Sequence, residues 1–137
     1  MEWLKGIGIL IGRILLVLIF LQSGIGKIAH FQGTTEYMAK FAMPYTNFFL
    51  IGAIFIELFG SITVITGYYT RLGAFLLAVF MIPTTLIFHT NFADPNQQIH
   101  FMKNVSMFGG LLVLLMAGAG RISLNYLLRE KKKGLSN

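Results

Sequence analysis

The sequence predicts an all-α integral membrane protein, an antiparallel four-helix bundle with both termini in the cytoplasm. Three observations carry this. Apolar residues make up 55% of the 137 and charged residues 12%, with a mean hydropathy of +0.72. Soluble domains carry about 25% charged residues, so this chain has too little polar sequence to clothe a water-soluble enzyme. The apolar residues gather into four unbroken runs, at residues 7–29, 45–67, 72–92 and 101–119, and about 20 helical residues cross a bilayer core. The net charge of +6 is distributed around these runs as a membrane protein distributes it.

The first run follows Lys5 and encloses Arg13. Charge followed by apolar sequence resembles a signal peptide. The apolar stretch continues to Ala29 with no clean small-x-small cleavage site, so the run is read as a retained span. Pro44 suits the first turn of the second span, and Gly67 its end. Pro83 inside the third run frees the Val79 carbonyl and predicts a kink. Gly118 and Gly120 suit the end of the fourth span. Continuously apolar runs exclude the alternating pattern of a membrane β-barrel, and in lipid the backbone must satisfy itself, so all four runs are helices. Residues 120–137 form a basic tail, and no segment remains for a second domain, so residues 1–137 form one domain. Four spans put both termini on one side. That side, with the second loop, holds Lys5, Arg13, Arg71, Arg121, Arg129 and Lys131, Lys132 and Lys133, against Lys27, Lys40 and Lys103 on the other. The positive-inside rule makes the first side cytoplasmic. The membrane is thus the predicted partner of the positive charge, and nucleic acid is not.

The absence of Cys excludes disulfides, thiol catalysis and iron–sulfur clusters. Three His with no accompanying carboxylate cluster argue against a metal centre or haem. The chemistry therefore rests on the few ionisable groups inside the spans, which are costly there and face the bundle interior. At about 100° per residue, Arg13, Ser23, Gly24 and Lys27 share one face of the first helix. Glu57 stands mid-span among Ala53, Gly60 and Ser61, small residues that admit a neighbouring helix. Arg13 is expected within reach of Glu57 as a structural ion pair, the sharper alternative being a proton-carrying carboxylate. A second group, Gln22, Ser23, Lys27, His89, Lys103 and Asn104, is expected near the opposite surface. It suits an anionic or carbonyl-bearing head group with an apolar body, such as a quinone. Against this stands a plainer reading of snorkelling lysines and a satisfied interfacial histidine. Gly8 and Gly12 form a weak helix-packing GxxxG signal.

These residues also carry a family pattern. Arg13 is followed by Ser23-Gly-Ile-Gly-Lys27, then Glu57, then Thr66-Gly-Tyr-Tyr-Thr-Arg-Leu-Gly-Ala74. Phe88-His89, Lys103-Asn104, Gly109-Gly110 and Gly118-Ala-Gly-Arg-Ile-Ser-Leu-Asn125 follow in order. The chain resembles the DoxX family, in particular its short bacterial inner-membrane members, over nearly its whole length. It departs at Ala119, where the family often has Pro, and at Asn125, where Asp is common. The resemblance implies an inner-membrane location and quinone-linked redox chemistry, since the family takes its name from a quinol oxidase-associated subunit and some relatives serve thiosulfate:quinone oxidoreductases. In such a system Glu57 and His89 are the candidate catalytic side chains, quinone the candidate cofactor, and a membrane redox protein or a second copy of the chain the candidate partner. The competing expectations are a non-enzymatic membrane scaffold and a small-solute transporter. The latter is disfavoured by four spans without a visible inverted repeat.

Overall fold

A computed structural model describes residues 1–136. Among them are six helices and no strand: α1 (Glu2–Ala29), α2 (Phe31–Ala39), α3 (Thr46–Thr66), α4 (Thr70–Phe88), α5 (Pro95–Ala117) and α6 (Leu124–Leu135). Helices α1, α3, α4 and α5 are long and apolar enough to cross a membrane. They form the bundle: α1 packs on α3, α3 on α4, α4 on α5, and α5 returns to α1.

Two spans start earlier than hydropathy suggests. Helix α1 begins at Glu2 rather than residue 7. Helix α5 begins at Pro95 rather than residue 101, because the Asp94 carboxylate accepts from Asn96 N at 2.9 Å and Pro95 fills the first helical position. Apolar runs report the lipid-buried part of a helix, whereas caps set where its hydrogen bonding starts. Pro44 lies before the helix it was expected to open, and Tyr45, with φ of 52°, makes the entry into α3. At the other end Gly67 closes α3 with φ of 75°, as its sequence position suggests. Two helices were not foreseen. Helix α2 lies within the expected loop at residues 30–44. Helix α6 occupies most of the tail expected over 120–137, whose last residue lies outside the described residues, and Ser123 caps it by accepting from Tyr126 N.

The core is formed by Val17 and Phe20 of α1, Val64 of α3, Ala74, Leu77, Ala78 and Met81 of α4, and Leu111 and Leu114 of α5. Small residues bring the helices close. A methyl on Gly24 would meet the Leu58 side chain at 2.8 Å, and one on Gly60 would meet Leu77 at 2.7 Å. By contrast Gly8 and Gly12 have nothing within 4 Å of where a Cβ would stand, so the GxxxG face of α1 points out of the bundle. Large apolar side chains such as Leu15, Ile51, Phe55, Ile62 and Val113 are exposed on the outside, which in a bilayer is the lipid face.

Both ends of the chain meet at one end of the bundle. Glu2 Oε2 lies 3.9 Å from Arg121 Nε, and Asn125 N donates to Gly67 O at 3.2 Å. Helix α2 and the α4–α5 connection sit at the opposite end.

Candidate functional site

Glu57 is 3% exposed at the middle of α3. Its partner is Lys27, with Nζ 2.9 Å from Oε2 and 3.1 Å from Oε1. Ser23 Oγ donates to Oε1 at 2.9 Å and accepts from Lys27 Nζ at 2.5 Å. Ser23 and Lys27 are four residues apart on α1 and so share a face. An ammonium has three N–H donors, and here Glu57 and Ser23 take all three. The carboxylate is thus compensated in an apolar setting where an unpaired charge would cost several kcal/mol.

The expected Arg13–Glu57 ion pair does not form. Ten residues of α1 separate Arg13 from Ser23, which is level with Glu57, and at 1.5 Å per residue that is about 15 Å, too far for an arginine side chain. Arg13 is buried at the end of the bundle that carries the termini. Its Nη1 donates to Ala119 O at 2.5 Å, and its Nη2 to Ile122 O at 2.9 Å and Ile65 O at 3.3 Å. These carbonyls lie at the end of α3 and in the α5–α6 connection, where the backbone has left its helical bonding and acceptors are free. Arg13 Nε, also buried, has no partner.

The Lys27–Glu57 pair stands in the wall of a cavity of about 990 Å³. Helices α1, α3, α4 and α5 surround it, and α2 with residues 41–44 covers its end. Its lining is mainly apolar and aromatic, including Phe20, Phe48, Phe49, Phe80 and Met107. The rings of Tyr37, Phe41 and Phe88 cluster over it, with centroids 4.9 to 5.8 Å apart. The polar groups in the wall are Ser23, Lys27, Glu57, His89 and Asn104, together with His30, Thr34, Tyr37 and Thr84.

The second expected group is therefore only partly assembled. Ser23, Lys27, His89 and Asn104 all line the cavity, but Gln22 and Lys103 do not. Lys103 is exposed, with Nζ 3.3 Å from His100 Nδ1, because its position on α5 turns it away from the face that carries Asn104. Asn104 is itself tied to α4, its Nδ2 donating to Thr85 Oγ1 at 3.0 Å. His89 caps the end of α4, and its Nδ1 lies 2.9 Å from Gln97 Oε1. The amide oxygen accepts, so Nδ1 carries the proton and, in the neutral ring, Nε2 is an acceptor. Among the described residues no three His, Asp or Glu side chains gather as a metal-binding set. Sequence reasoning missed Thr34, Tyr37 and Met38, which α2 contributes to the wall. The one available signal was length, since a connection of about 15 residues with no secondary structure of its own is uncommon.

The model of the family described as DoxX matches residues 8–90, a stretch that includes Arg13, Ser23, Lys27, Glu57 and His89. The chain is 37% identical over 131 residues to Inner membrane protein YqjF of Escherichia coli (strain K12), covering 96% of this chain and 99% of that protein. It is also 37% identical over 122 residues to Inner membrane protein YphA of the same organism, covering 85% of this chain and 87% of that protein. No solved structure matches.

Proposed function

The chain belongs to the DoxX family and is a small multi-pass inner-membrane protein, and from that premise we propose that it binds a quinone as a subunit of a membrane redox system. The observation that carries this reading is a largely apolar cavity of about 990 Å³, inside a membrane bundle, with a buried carboxylate and a histidine in its wall. Ligand sites typically combine apolar walls with a few placed polar groups. A quinone has this form, a polar ring on an apolar tail.

The chain's own groups favour the hydroxyl-bearing, reduced form of such a ligand. Lys27 already directs its donors at Glu57 and Ser23. Thr34 and Thr84 direct their hydroxyl protons to the His30 and Phe80 carbonyls and Asn104 donates to Thr85, so the wall offers a ligand chiefly acceptors, the Glu57 carboxylate and His89 Nε2, beside the Tyr37 hydroxyl. His89 Nε2 would hold the hydroxyl proton, Gln97 fixing the ring from the other side. The aromatic cluster of Tyr37, Phe41 and Phe88 would keep water from the head group. A bound quinone would supply a two-electron, two-proton couple. With no Cys in the chain, electrons would come from a partner protein. We infer that both termini face the cytoplasm, because eight of the eleven Lys and Arg lie at their end of the bundle.

Mass spectrometry of an organic extract of gently purified protein tests the proposal. The expected result is a quinone in near-stoichiometric amount, depleted in His89→Ala. Phospholipid alone overturns it and favours a scaffold, and a quinone retained unchanged in that variant overturns the site assigned around His89.

A further inference from the structure

A second cavity, of about 560 Å³, lies at the end of the bundle that carries the termini. It is formed where α4 begins, α5 ends and α6 begins, so it sits at the depth where spans leave the apolar core. Two arginines line it, Arg71 from the first turn of α4 and Arg129 from α6. Tyr69, Tyr126, Asn125 and Ser123 supply further polar groups.

Among the described residues, Glu2 pairs with Lys5 and Arg121, Glu57 with Lys27, and Glu130 with Lys133, and no carboxylate lies within 4 Å of Arg71 or Arg129. Arg71 Nη2 donates to Met116 O at 3.1 Å, which occupies one of five N–H donors and orients the fork. Arg129 makes no side-chain hydrogen bond among the described residues. Arg71 and Arg129 are both exposed at this cavity, so an anion entering it meets two guanidinium groups. A guanidinium fork matches the oxygens of a phosphate better than any other common oxyanion except a carboxylate. Leu72, which also lines the cavity, is 46% exposed, and Leu124 and Leu128 of α6 are exposed as well, apolar surface for acyl chains beside a bound head group.

We propose that this cavity binds a phosphate oxyanion between Arg71 and Arg129. The anion has two sources, the phosphodiester of an anionic phospholipid or free phosphate. Basic clefts between membrane helices at the cytoplasmic side are suited to the former. The site is separate from the quinone reading, and neither depends on the other.

Native mass spectrometry of the full chain, offered equal phosphatidylglycerol and phosphatidylcholine, reads the lipid source. Wild type is expected to retain phosphatidylglycerol about ten-fold over phosphatidylcholine, which carries the same phosphodiester but brings a choline cation against the two arginines. Arg71→Gln/Arg129→Gln is expected to bring the ratio near one. Lys131→Gln/Lys132→Gln removes the same charge from α6 outside the cavity and is expected to keep the preference. If phosphatidylglycerol is not preferred, but inorganic phosphate raises the melting temperature of wild type and not of the arginine variant, the site stands and its ligand is soluble. If neither probe distinguishes wild type from Arg71→Gln/Arg129→Gln, the proposal is overturned. It is equally overturned if the lysine variant loses the preference as fully as the arginine variant. Should the double arginine variant fail to fold, Arg129→Gln alone, which breaks no hydrogen bond, carries the same comparison with at least a three-fold loss expected.

Discussion

Helix α1 carries two cations into the apolar interior, and the bundle treats them differently. Arg13 is surrounded by backbone carbonyls at the end that carries the termini, where the α5–α6 connection wraps onto α1 and α3. Lys27 is paired with a side-chain carboxylate in the wall of a large cavity. Carbonyl oxygens do not titrate, so the first arrangement has one charge state and acts as a fastening. A carboxylate can exchange protons and can accept from a ligand, so the second can take part in chemistry. The same helix thus divides into a structural end and, on the proposed function, a reactive end, and substitutions at the two ends should separate accordingly.

The largest effect is expected at the fastening. Arg13→Met leaves three carbonyls without their donor, and at roughly 1–3 kcal/mol for each unsatisfied buried group the loss should reach about 3 kcal/mol or more. Denaturant unfolding in detergent measures it. Arg13→Lys should recover little, because a single ammonium cannot reach acceptors on both arms of the guanidinium. Near-wild-type stability in Arg13→Lys would mean that charge alone holds this end.

At the reactive end Glu57→Gln removes the partner of Lys27, whose side chain is 23% exposed and can turn towards the cavity mouth. A smaller loss of about 1–3 kcal/mol is therefore expected. Adding Lys27→Met should restore part of it, a positive coupling between contacting residues. Glu57→Gln with Arg13→Met should instead be additive within about 0.5 kcal/mol, as for distant sites. Coupling in the Arg13 cycle would join the two ends and break the division.

Which cation meets Glu57 was not legible in the sequence, and the reason is geometric. Hydropathy located the four spans, and helical periodicity placed Arg13, Ser23 and Lys27 on one face of α1. Periodicity fixes angle, however, and not the sliding of one helix along another. A shift of two turns, about 11 Å, decides between Arg13 and Lys27. That shift depends on where α1 begins, and the polar start at Glu2 lies outside any apolar window. Lys103 was grouped with a cavity it does not line for a different reason: it is level with Asn104 but about 100° away around α5, and the sequence does not say which of those faces meets the cavity. Helices α2 and α6 are too polar for hydropathy to reveal, although Ser123 and the three- and four-residue spacing of Leu124, Leu127 and Leu128 signal a capped amphipathic helix. Gly67, Gly118 and the small residues around Glu57 were readable, because their requirement is local.

Glycines at the two ends extend the contrast. Gly73 lies in the α3–α4 seam near the end that carries the termini. A Cβ there would collide with Thr63 Oγ1 and stand 2.9 Å from Gly60 O. Gly73→Ala is expected to cost about 1–3 kcal/mol through overpacking. Thr63→Ala in the same chain should recover only part, since the backbone clash with Gly60 remains. Full recovery would show that the seam yields more readily than its close approach implies.

Gly52, in the cavity wall, is the counterpart and should give the smallest effect. It lies inside α3, and nothing stands within 4 Å of an added Cβ. Removing a glycine from a helix interior favours the helix by up to about 1 kcal/mol, so Gly52→Ala should match or slightly exceed wild type in thermal unfolding. One methyl takes little of about 990 Å³, and the amount of co-purified ligand should also be unchanged. Gly52→Phe puts a ring into the same space, and it should lower ligand retention while leaving stability near that of the alanine variant. That pairing separates an open cavity from a merely loose one. If Gly52→Phe destabilises as Gly73→Ala does, the space closes in the membrane and both ends of the bundle are structural. If it removes the ligand and spares the fold, the open volume beside Lys27 and Glu57 exists for something to enter.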